Sequence, residues 1–158
     1  VPHHSDSTKV YPPVLNAIKS ADYIIVGPGD LYTSVMPNFL VKGVVEAIKK
    51  ARGKVIYIMN IMTKLGETDG FSAKDFIKVI EDKIKRKPDF VLINNARANG
   101  RLIQKYRKRG AEFVKIDKSV KVRDKKFIVG DFLSAKGELA RHDSAKTARV
   151  IEKIIKKI

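Results

Sequence analysis

The chain has 158 residues, 44% of them hydrophobic and 32% charged, with no cysteine. That length supports one domain with a core of its own, and that composition excludes a disordered chain. The lack of cysteine excludes disulfides and thiolate metal sites; 33 basic residues against 17 acidic give a net charge of +16, which suits nucleic acid, an anionic ligand, an anionic surface or a solvated lysine-rich face.

Val1 to Pro13 reads as a polar, extended lead-in, because Pro12 and Pro13 disfavour helix up to that point. Val14–Ser20 has helical spacing. Asp22–Val26 is a short β-branched run, a buried strand. The chain then breaks at Gly27-Pro28-Gly29, crosses a polar patch at Asp30, Tyr32, Thr33 and Ser34, and resumes as a helix from Asn38 to Ala51, ended by Gly53. Lys54–Met59 is the second strand. Ser72 and Asp75 form a capping-box start for a helix reaching Lys87. Phe90–Ile93 is the third strand, and Arg101–Arg109 a basic helix closed by Gly110. Glu112–Ile116 reads as a fourth strand and Phe127–Val129 as a short edge strand. Asp143 caps a last helix, Ser144–Ile158, with Ala148, Ile151, Ile154 and Ile155 on its apolar face.

Alternating strands and helices predict an α/β fold: a parallel sheet with helices on both faces. Right-handed crossovers open successive post-strand loops on one edge. Those loops are 27–37, 60–70 and 94–100, the most polar and least charged of the chain, and their convergence is the main argument for a ligand site. No apolar run approaches a membrane span and no leader precedes the first strand, so a cytoplasmic protein is expected. The first residue is Val1, not Met, which suggests a piece of a longer protein.

The chemistry of these loops reads as follows. Gly27, Pro28 and Gly29 let the backbone approach a ligand, Thr33 and Ser34 add hydroxyls, and the helix after them adds amides; a phosphate suits this set as well as a plain tight turn does. The pattern is neither Gly-x-Gly-x-x-Gly nor a P-loop. In the second loop Asn60, Thr63, Glu67, Thr68 and Asp69 cluster. Glu67 or Asp69 could hold Mg²⁺ or act as a base, or the group could merely cap the helix after it. Asn94-Asn95 could meet a base or sugar, or turn the chain. His3, His4 and Asp6 are a weak metal set, and no Ser/His/Asp arrangement for nucleophilic catalysis is present. Basic residues gather at Lys83–Lys87, Arg101–Arg109 and Lys115–Lys126, and the aromatic residues are not interleaved with them at a stacking surface, so nucleic acid is not the expected partner.

The runs Gly27-Pro28-Gly29-Asp30-Leu31-Tyr32-Thr33-Ser34, Pro37-Asn38, Asn60-Ile61-Met62-Thr63 and Gly66-Glu67-Thr68-Asp69-Gly70, with Arg141-His142-Asp143, resemble the YvcK-type gluconeogenesis factors of the CofD-like superfamily. The resemblance covers nearly all of the chain but only the C-terminal part of the family's length. It implies a Rossmann-like fold forming an incomplete, C-terminal part of a larger domain. It implies a regulator of gluconeogenic growth, cell shape and envelope metabolism that binds a UDP-sugar, UDP-N-acetylglucosamine foremost, or another phosphorylated small molecule. Homo-oligomers are expected. The implied ligand residues are Gly27, Pro28, Gly29, Asp30, Leu31, Tyr32, Thr33, Ser34, Asn38, Asn60, Met62, Thr63, Glu67 and Thr68. The alternative is a 2-phospho-L-lactate transferase-like enzyme with Asp30 and Glu67 catalytic and Mg²⁺ on Asp30. The chain departs from the family at Asp30, where Ser is usual, and at Lys42, where Pro is common.

Overall fold

The computed structural model describes residues 10–118, 120, 124–134 and 139–156. The metal set expected at His3, His4 and Asp6 lies outside them, as does the far end of the last helix. The elements run α1 (Pro12–Ser20), β1 (Tyr23–Val26), two helical turns (Leu31–Val35 and Met36–Phe39), α2 (Val44–Lys50), β2 (Lys54–Ile58), α3 (Ala73–Ile84), β3 (Phe90–Asn94), α4 (Gly100–Arg107), β4 (Phe127–Gly130) and α5 (Ser144–Ile155).

The four strands form one parallel sheet in the order β1-β2-β3-β4, in register at Tyr23 with Lys54, Ile56 with Phe90 and Val91 with Phe127. Every step goes the same way, so right-handed crossovers put their helices on one face. That face carries the larger core: Val26, Val55, Tyr57, Met59, Val91 and Ile93 pack with Val44 and Ile48 of α2 and with Phe76, Ile77, Ile80 and Ile84 of α3. The other face is covered by α5, which seats Ile154 with Ile56, Ile58, Leu92 and Phe132. Helices therefore cover both faces, as expected. The strands read as unbroken apolar runs because both sides of the sheet are buried.

Four element predictions need correction. α1 begins at Pro12, two residues before the expected Val14, so both prolines lie in its first turn, where a missing N–H costs nothing. The helix expected from Asn38 starts earlier, at Leu31, and is interrupted: Gly43 takes a positive φ of 97° and α2 begins only at Val44. Glu112–Ile116 is no strand of the sheet. It runs against the second loop, pairing Phe113 with Met62 antiparallel and Lys115 with Ser72, and β4 takes the place beside β3. On α5 the inward residues are Thr147, Val150, Ile151 and Ile154, whereas Ala148 and Ile155 are exposed. The capping residues hold. Ser72 and Asp75 form the capping box of α3, and Asp143 Oδ1 accepts from Lys146 N at 2.9 Å.

Candidate functional site

β1 and β2 end at adjacent points of one sheet edge, and the loops after them stand side by side. Gly27 leaves β1 with φ of 83°, and a Cβ there would meet Ile58 O at 2.7 Å. Only glycine fits, because the first loop crosses directly over the end of β2. The second loop is shaped by its own polar groups. Thr63 Oγ1 accepts from Glu112 N at 2.8 Å, and Thr63 N donates to Glu112 O at 2.7 Å. Thr68 Oγ1 accepts from Lys64 N at 2.9 Å, and Asp69 Oδ2 from Gly66 N at 2.7 Å.

Between these loops lies a cavity of about 790 Å³. Its floor comes from Pro28, Gly29, Asp30 and Ser34 of the first loop and from Asn60 to Leu65 of the second. Its remaining wall comes from Tyr106 in the last turn of α4, from Arg109 and Ala111 after that helix, and from Ala140, Arg141 and His142. Tyr106 holds that wall together, its hydroxyl oxygen accepting from Ala140 N at 3.0 Å. Arg141 and His142 lie on an extended segment beside Leu133, just past β4. The His142 imidazole is mostly buried, and burial draws its pKa down, against a hydrogen bond with the Met59 backbone that raises it.

Among the described residues three buried side-chain oxygens lack a hydrogen-bond partner: Tyr57 Oη, Asn60 Oδ1 and Glu67 Oε2. Tyr57 sits in the core, where burial pushes its phenol far upward. Asn60 lines the cavity, with its Oδ1 sealed from solvent and without a donor. Lys64 joins the loops: its Nζ lies 2.7 Å from Asp30 Oδ2 and 2.6 Å from Glu67 Oε1. Those two carboxylates, Asp30 first, hold the Lys64 ammonium pKa above its usual value.

Of the fourteen residues expected to bind, seven line this cavity: Pro28, Gly29, Asp30, Ser34, Asn60, Met62 and Thr63. The others do different work. Gly27 makes the turn. Leu31 is core, 1% exposed. Tyr32 is exposed, and Thr33 accepts from Lys64 Nζ at 3.3 Å. Asn38 donates to the carbonyls of Ser34 and Val35, closing its own helical turn. Glu67 is bound by Lys64, and Thr68, 2% exposed, is consumed inside its loop. Asn94 is structural too: its Oδ1 accepts from Phe132 N and its Nδ2 donates to Ala96 O. Sequence reasoning missed Lys64, Tyr106 and Arg109. Tyr106 and Arg109 read as an ordinary solvated basic helix; Arg141-His142 was the one visible signal of this wall.

The donor set does not fit a resident Mg²⁺. An ammonium already stands between Asp30 and Glu67, and no group of three or more His, Asp or Glu suitable for a metal exists among the described residues.

Residues 1–133 match the profile of the 2-phospho-L-lactate transferase CofD family. A candidate gluconeogenesis factor of Thermotoga maritima is 44% identical over 147 residues, covering 90% of this chain and 47% of that relative. The gluconeogenesis factor of Halalkalibacterium halodurans is 38% identical over 139 residues, covering 87% of this chain and 43% of the relative. A crystal structure of a Bacillus halodurans protein matches with a TM-score of 0.85 at 36% identity, over 96% of this chain and 49% of that one. The chain thus spans about half the length of these curated relatives. It belongs to the CofD family, on the side of the gluconeogenesis factors.

Proposed function

We propose that this chain supplies half of a nucleotide-sugar site in a cytoplasmic, gluconeogenesis-linked regulatory protein, with UDP-N-acetylglucosamine as the ligand. The observation that carries the reading is the cavity itself, on which Arg109 and Arg141 stand across from the two post-strand loops and Asn60. A ligand for such a cavity brings anionic oxygens for the guanidinium groups and an N–H or O–H for Asn60. A nucleoside diphosphate sugar carries both. The size of the cavity, within the range of small-molecule sites, and the family's gluconeogenesis factors support the same reading.

Isothermal titration of the full-length protein with UDP-N-acetylglucosamine is the test. Binding in the micromolar range is expected, weakened by about 1–2 kcal/mol in Asn60→Ala. Absence of heat at those concentrations removes the reading. The transferase alternative draws on the family name but needs a cation at Asp30 and Glu67, where Lys64 sits. Metal-dependent transfer of a phosphorylated group that is lost in both Asp30→Asn and Glu67→Gln would favour it instead.

A further inference from the structure

One side chain joins the two loops of the cavity. Lys64 Nζ has three protons to donate, and three acceptors surround it: Asp30 Oδ2 at 2.7 Å, Glu67 Oε1 at 2.6 Å and Thr33 Oγ1 at 3.3 Å. Asp30 and Thr33 belong to the first loop, Glu67 to the second. The base of the side chain is fixed as well. Lys64 N donates to Thr68 Oγ1, and the Lys64 carbonyl accepts from Glu67 N at 3.0 Å and Thr68 N at 2.9 Å. The ammonium is therefore held from its backbone to its tip.

Lys64 also balances charge at the cavity. Asp30 lines the cavity, and Glu67, whose side chain is only 16% exposed, stands behind Lys64 with its other oxygen unpartnered. Removing the ammonium would leave two carboxylates facing each other with no cation between them. It would also leave Asp30 as an uncompensated negative charge on the wall that an anionic ligand must approach. Like charge beside a phosphate weakens binding, more so in a cavity than in open water.

We propose that Lys64 is a positioning residue of this site: it sets the spacing of the two loops and cancels the charge of Asp30, so that the cavity admits a phosphorylated ligand. The ligand half of this proposal rests on the nucleotide-sugar reading; the loop half does not. The test uses the full-length protein with Lys64→Met, Lys64→Arg, Asp30→Ala and the Asp30→Asn/Lys64→Met pair.

Without ligand, amide hydrogen exchange is followed over segments 29–34 and 64–70. Lys64→Met should speed exchange in both, while Lys64→Arg, which keeps charge and reach, should leave both near wild type. Unchanged exchange of segment 29–34 in Lys64→Met overturns the spacing role. Should Lys64→Met fail to fold, Asp30→Ala decides it, because that variant has no acceptor for Lys64 at position 30 and must loosen segment 29–34.

With UDP-N-acetylglucosamine as the probe, Lys64→Met should bind about tenfold more weakly. The double variant should recover part of that loss, the share due to charge, and so bind more tightly than Lys64→Met while staying weaker than wild type, because the tie between the loops is still missing. A double variant no tighter than Lys64→Met overturns the charge-cancelling role. A wild-type protein silent toward this probe, with the exchange results as expected, sinks the nucleotide-sugar reading and leaves the spacing role standing.

Discussion

Gly27 and His142 show how single residues carry the site. Gly27 has two constraints at once, a positive φ and a carbonyl where a side chain would begin. Gly27→Ala should cost about 1–3 kcal/mol, read as a lower urea midpoint with an unchanged slope. His142 faces the cavity from the opposite wall, and its pKa lies below the ordinary 6.5 because burial disfavours its charged form. The unfolded chain therefore binds a proton near pH 6.5 that the folded chain refuses. Stability is full above that pH and declines as pH falls from 6.5 toward the folded value. Melting temperatures from pH 7.5 to 5 should show this decline, and His142→Gln should flatten it. Asp75, held below the ordinary carboxylate range first by the Ser72 backbone N–H and then by its hydroxyl, contributes in a different window. Its contribution is present above pH 3.8 and is lost as pH falls toward the folded value.

Elements were legible where a local rule decided them. The capping box at Ser72 and Asp75 could be read directly, since both partners lie three residues apart in one helix turn. Asp75→Ala should lower stability by about 1 kcal/mol without changing the ligand site; a urea titration checks it. The strands were legible because a doubly covered parallel strand is an uninterrupted apolar run. Glu112–Ile116 was misplaced because its apolar spacing is that of a strand while its partner is set by the tertiary fold: Ile61 O accepts from Val114 N at 3.0 Å, and loop two takes the pairing that the sheet would have offered. The site divided in the same way. Post-strand loops announce themselves by glycine and small polar residues. The wall from Tyr106, Arg109 and Arg141 comes from distant segments, and no spacing in the sequence joins them. Thr68 shows the limit of such reading, because a hydroxyl that accepts within its own loop has the same sequence signature as one offered to a ligand.

At the scale of the molecule the sheet is open on one side. β1 is an edge strand, and Ile25 on its less covered face is 49% exposed. Along the same edge runs an apolar groove of about 540 Å³ between α1, β1 and the turns before α2. Unpaired edges of this kind take up another strand. The 158-residue chain by itself should therefore sediment with a mass that rises with concentration, and Ile25→Glu should suppress the rise. A constant monomer mass across a hundredfold dilution would contradict this. No helix among the described residues is long and apolar enough to cross a membrane.

The opposite end of the sheet is built differently. There Arg86 donates to the carbonyls of Ile48, Ala51 and Gly53 and to Asp89, while Asp89 also accepts from Val55 N and Lys54 Nζ. A Cβ on Gly53 would run into the Ala21 carbonyl. The sheet thus resembles a fan whose ribs are riveted at one end and carry the site's loops at the other. Tolerance to sequence change should follow the same polarity. Substitutions at the riveted end disturb the whole fold, whereas the open end can exchange its polar residues, and with them its ligand, while the sheet beneath stays as it is.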